Sequence, residues 1–124
     1  MITVTINKNY NNLLEAKWAK VLQYMQERFN KKADIKEILF VIGLRELGQK
    51  KNKFTKEQKQ DLMNLAFCKV AGLSGYLEVS HLDGDGWPVW KQQKPLPVMN
   101  NKEQEIFIKE HIILYFEAEG LLKN

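Results

Sequence analysis

The run Ile38-Leu39-Phe40-Val41-Ile42, followed by Gly43-Leu44, leaves no polar face on a helix drawn through it. Such a helix is stable only when other elements cover it on nearly every side. Asp34 stands where an N-cap is needed, and Gly48 where a left-handed residue ends a helix. Gly43 in mid-helix costs about 1 kcal/mol relative to alanine, which a close helix crossing explains better than flexibility. The segment 34–48 is therefore expected to be a central buried helix, and the rest of the chain must supply its cover.

Three further helices are expected to do so. Leu14, Trp18, Val21, Leu22, Met25 and Phe29 recur at three- and four-residue steps, with Lys17, Lys20, Gln23, Gln26 and Glu27 between them. That spacing predicts an amphipathic helix over 12–30, broken at Asn30-Lys31-Lys32. Thr55 with Gln58 forms a capping box for a helix running to about Leu73, which buries Leu62, Met63, Leu65, Ala66, Phe67, Val70 and Leu73. The last helix starts near Asn101 or Lys102 and stops at Gly120. Its run Ile112-Ile113-Leu114-Tyr115-Phe116 is again apolar nearly all round.

Between them lies a hairpin over 76–92, with its turn at Asp83-Gly84-Asp85-Gly86. Gly84-Asp85 as a glycine-first two-residue turn pairs Val79 with Trp90, Leu82 with Trp87 and Glu78 with Lys91. In this register Val79 and Trp90 face the helices, with His81 and Leu77 on the same side, and Leu82 with Trp87 faces away. Residues 2–6, Ile2-Thr3-Val4-Thr5-Ile6, alternate like a short strand and are expected to join the hairpin as a third member. The fold class is α+β, predominantly helical: about four helices around a central buried one, with a small antiparallel sheet.

At 124 residues, 44% hydrophobic and 27% charged, the chain fits a single domain spanning 1–124 rather than a disordered segment. Lone Cys68 cannot form an intrachain disulfide and is expected to be a buried thiol. Residues 1–12 lack a secretory signal pattern, and no apolar run approaches the ~20 residues of a membrane span. The expected location is the cytoplasm, with no membrane partner.

Several chemistries find no support. Asp83-Gly84-Asp85-Gly86 would make a calcium loop only with oxygen ligands further on, but the fifth and twelfth positions are Trp87 and Lys94. Glu78 and His81 have a di-iron spacing, yet on a strand those positions point to opposite faces. One cysteine and two distant histidines do not make a zinc site. His81 and His111 lack an accompanying nucleophile motif, phosphate loop or acid cluster, so both are expected to be structural. No catalytic residue, cofactor or metal ligand is assigned.

Two binding surfaces remain. Leu82, Trp87 and Val89 form a candidate interaction patch on the outer hairpin. Lys50, Lys51, Lys53, Lys56 and Lys59 form a candidate basic patch. Residues 1–59 carry 13 Lys and Arg against 6 acids, whereas residues 60–124 carry 6 against 9. This asymmetry points to an acidic partner or to self-association.

Helix, connection, helix and hairpin is also the order of winged helix-turn-helix domains. Against that stand a long connection, acidic Asp83 and Asp85 at the wing tip, and only two arginines, Arg28 and Arg45. A non-enzymatic protein-interaction module, homodimeric in one version, is the first expectation. A nucleic-acid-binding domain is second, and a small-ligand site or enzyme third.

The stretches 41–48 (VIGLRELG), 61–66 (DLMNLA) and 85–88 (DGWP) resemble a family of small uncharacterised proteins of Bacteroidota, over residues 33–124. That family carries no assigned activity, so the resemblance implies no functional residue.

Overall fold

The structure, a computed structural model, describes residues 3–48 and 53–122. The order is α1 (Thr3–Phe29), α2 (Ile35–Leu47), α3 (Lys56–Gly72), β1 (Leu77–Leu82), β2 (Pro88–Gln92) and α4 (Asn101–Ala118). It is an α+β fold dominated by helices, with one antiparallel two-stranded sheet among the described residues.

The chain's own capping chemistry sets three of the helix starts. Asp34, Thr55 and Asn100 each accept from the amide three residues on, while Glu37, Gln58 and Glu103 reach back to the cap amide. Each reciprocal pair satisfies two amides that would otherwise lack partners. α1 ends at Asn30, which adopts φ 55° while its amide donates to Gln26. α2 ends at Gly48 with φ 70°.

α2 has no exposed residue between 37 and 44, as its composition requires. Its closest neighbour is α3. A Cβ added to Gly43 would lie 2.2 Å from the Leu62 carbonyl oxygen, so the two backbones touch where only hydrogen fits. α4 packs against α1, α2 and α3, and contributes Phe107, Ile112, Ile113, Tyr115 and Phe116 to the interior. α1 adds Leu14, Trp18, Val21 and Met25, and Tyr24 meets Phe116 edge-on at 5.1 Å.

Residues 3–6 of the expected N-terminal strand are instead the first turns of α1, and Ile2 lies outside the described residues. A five-residue strand gains nothing without a partner, and the sheet of the described residues consists of β1 and β2. Extending an already nucleated helix adds one hydrogen bond for each residue fixed, so the run continues α1 upstream. Phe29 and Leu73, expected in the core, are 45% and 43% exposed because each sits where its helix stops.

Candidate interaction surface

The hairpin is built outward from its turn. The Asp83 carboxylate accepts from the amides of Asp85 (2.8 Å) and Trp87 (2.9 Å), while the Gly86 amide donates to the Asp83 carbonyl. Gly86 then takes φ 84°, a left-handed position that favours glycine. The loop is thus three residues, a tight turn closed by a glycine bulge, rather than the glycine-first two-residue turn expected. Asp83→Ala removes the single carboxylate oxygen that accepts both bonds. It is expected to cost about 1 kcal/mol, read by denaturant unfolding.

Register agrees with expectation at Glu78↔Lys91 and Val79↔Trp90, then shifts at a bulge between Val79 and His81. Glu78 and Lys91 stand opposite without their charged groups reaching ion-pair distance. Beyond the bulge His81 pairs with Val89, and Leu82 with Pro88 instead of Trp87. One extra residue inverts the alternation. His81, expected to point inward, is exposed, and its ring Nδ1 stands 3.0 Å from the hydroxyl of its neighbour Ser80.

The same shift divides the expected patch. Leu82 is 63% exposed and Val89 37% exposed, but their register positions lie on opposite faces, and Trp87 is half-buried. Val79, expected against the helices, is 44% exposed. Trp90 carries the docking instead: its ring lies 3.6 Å from where a Cβ on Gly72 would stand. Its indole N–H is buried with no partner among the described residues.

The exposed large apolar residues fall mostly in one stretch of the chain. Of nine large hydrophobic residues exposed among those described, six fall between Leu73 and Val98: Leu73, Val79, Leu82, Val89, Leu96 and Val98. Isolated exposed leucines need no explanation, but Val79, Leu82 and Val89 are three exposed apolar side chains on one short hairpin.

Lys53, Lys56 and Lys59 are exposed where α3 begins, and none forms an ion pair among the described residues. Lys50 and Lys51, the other two members of the basic patch, lie outside the described residues.

Two constellations escaped the sequence. Ser74 Oγ stands 2.8 Å from His111 Nε2, and His111 Nδ1 stands 2.7 Å from the Phe107 carbonyl. The carbonyl can only accept, so Nδ1 carries a proton, and with that tautomer of the neutral ring Nε2 accepts from the serine. This is the geometry of a hydroxyl and its base. What an acyl-transfer site also needs is free donors for an oxyanion. The amides of Leu73, Ser74, Gly75 and Tyr76 are all spent on the carbonyls of Val70, Ala71, Gly72 and Ala71. His111 is buried, with the Phe107 ring at 4.1 Å and Tyr76 at 6.2 Å. The pair is a latch, fastening the turn that launches the hairpin to α4.

The second constellation joins three helices. Tyr115 donates to Glu46 (2.5 Å) and accepts from Arg45 (2.7 Å), which also donates to Glu119 (2.5 Å). Lys69 lies 3.4 Å from the other Glu46 oxygen. Burial, then the bond to Glu46, pushes the Tyr115 phenol well above its ordinary range. The bonds to Glu119 and Tyr115 hold Arg45 firmly charged. Arg45, Glu46, Lys69 and Tyr115 each have a partner on another helix, so the cluster braces the fold.

Cys68 is half-buried, not fully buried, and burial pushes its thiol up. Less thiolate at neutral pH means slower alkylation. Iodoacetamide is expected to label the native chain several-fold more slowly than the chain in denaturant, followed by mass spectrometry. Equal rates would contradict the shielding. Among the described residues no group of three or more His, Cys, Asp or Glu side chains converges as a metal site, and no helix is long and apolar enough to cross a membrane.

No protein-family model, curated protein or solved structure matches the chain.

Proposed function

We propose that this protein is a non-enzymatic interaction module that presents its hairpin to a protein partner. The observation that carries the reading is the exposure of Val79, Leu82 and Val89 on one hairpin, which is anchored to the helical body by Trp90 and the Ser74–His111 latch. Exposed apolar side chains on a hairpin are costly to solvate and suited to burial against another surface. Leu82, the most exposed apolar side chain of the hairpin at 63%, supplies the contact, and Val89 stands on the opposite face.

The test is affinity capture of the tagged chain from its host, with and without nuclease, comparing wild type with Leu82→Asp and Val89→Asp. Both positions are exposed, so each variant is expected to stay within about 0.5 kcal/mol of wild-type stability. Specific partners should survive nuclease and be lost from at least one variant. Partners retained by both variants would contradict the reading.

A second reading rests on a different observation. Lys53, Lys56 and Lys59 are exposed and unpaired among the described residues at the start of α3, and the order of α2, α3 and hairpin is that of a winged helix. Fluorescence anisotropy with a labelled duplex tests it. Binding through lysine–phosphate contacts would weaken steeply with salt and with neutralisation of these lysines. No salt-sensitive binding would retire it.

A further inference from the structure

The hairpin turn carries two Asp-Gly steps in succession, Asp83-Gly84 and Asp85-Gly86. An aspartate followed by glycine is where a chain rearranges most readily without an enzyme. Glycine puts no side chain in the way when its nitrogen turns on the preceding carboxyl carbon. All four residues are exposed, and a Cβ added at either glycine would meet nothing within 4 Å. The turn therefore leaves room for the five-membered ring that such a rearrangement passes through.

The fold treats the two steps differently. Ring closure expels a carboxyl oxygen as water, so every bond that the carboxylate accepts must first be given up. Asp83 accepts from the amides of Asp85 at 2.8 Å and Trp87 at 2.9 Å. Such charge-assisted bonds are about twice as strong as neutral ones. The Asp85 carboxylate has no hydrogen bond or ion pair among the described residues. Closure there costs one neutral bond, from the Gly86 amide to the Asp83 carbonyl at 3.0 Å.

We infer that Asp85-Gly86 is a site of spontaneous aspartate isomerisation in the folded protein, and that its two amide bonds protect Asp83. The Gly86 nitrogen bonds to Asp85 Cγ, and the carboxyl hydroxyl leaves as water with the amide proton. Water then opens the cyclic imide. Cleavage between the nitrogen and Cγ restores aspartate, whereas cleavage between the nitrogen and the Asp85 main-chain carbonyl carbon gives isoaspartate. Nothing is oxidised or reduced, and the mass is unchanged. The main chain then runs through the Asp85 side chain, one methylene longer, inside a turn that the Asp83 amide closes on the Trp87 carbonyl at 2.8 Å. Its α-carboxylate becomes a free branch, the group that an isoaspartyl methyltransferase recognises. This chemistry belongs to the turn and does not depend on what the hairpin binds.

The experiment holds the full chain at neutral pH and body temperature for several weeks, folded and in guanidinium chloride. Electron-transfer fragmentation of the digests then tells isoaspartate from aspartate at each position. The folded chain is expected to carry at least about tenfold more isoaspartate at 85 than at 83. In denaturant the two steps, each followed by glycine, should convert at comparable rates. Asp85→Glu should carry none at 85, because its ring would need a sixth member. Equal conversion at 83 and 85 in the folded chain would overturn the proposal. So would no isoaspartate at 85 in the folded chain once the denatured one has converted, or the same preference for 85 in denaturant.

Discussion

Gly43→Ala should destabilise the fold by about 3 kcal/mol, a large part of a small domain's total stability. At an exposed helix position the same change would stabilise by about 1 kcal/mol, because alanine is the better helix former. Here the added methyl would lie 2.2 Å from the Leu62 carbonyl oxygen and 2.8 Å from its carbon, both backbone atoms that no rotamer change can move aside. α2 and α3 must separate, opening voids around Ile42 and Leu62, each 1% exposed. Equilibrium urea unfolding measures the effect as a lower midpoint with an unchanged slope. A midpoint at or above wild type would mean that the two helices do not meet at this glycine.

Tyr115→Phe should cost about 2 kcal/mol. The ring stays and its packing against Phe116 is kept, but Glu46 loses a donor and Arg45 an acceptor at the junction of α2 and α4. The same residue gives a pH signature. Because the folded phenol binds its proton more tightly than the unfolded one, its contribution is complete below the unfolded value of about 10 and declines as pH rises toward the folded one. Wild-type stability should therefore fall on the alkaline side of about pH 10, and Tyr115→Phe should lose that part of the fall. Parallel alkaline profiles for the two proteins would contradict the account.

Much of this architecture can be read from residues close together in the chain. The capping pairs Asp34–Glu37 and Thr55–Gln58 lie three positions apart, and Gly43 signals a close crossing because no other role suits a glycine in an apolar helix. The N-terminal alternation misled for the opposite reason. Whether five β-branched and apolar residues form a strand depends on pairing with a segment elsewhere, which the local alternation does not encode.

The hairpin shows how little it takes to lose a site. Its existence, and two of its pairs, follow from the sequence. A single bulge near Ser80 then sends His81 outward and moves Leu82 from Trp87 to Pro88. The Ser74–His111 latch and the Tyr115 network were invisible because their members stand 37 and about 70 positions apart. Buried Tyr115 was the one available hint, since a phenol placed in the core must find a polar partner.

The interaction surface is tested most directly by placing a photo-crosslinking residue at position 82 and irradiating the protein in its host. The account predicts a discrete covalent product with a protein partner from position 82, and much less from a control placed on exposed Lys53. No product from position 82, or products with nucleic acid from position 53 alone, would contradict it and move the functional surface to the start of α3.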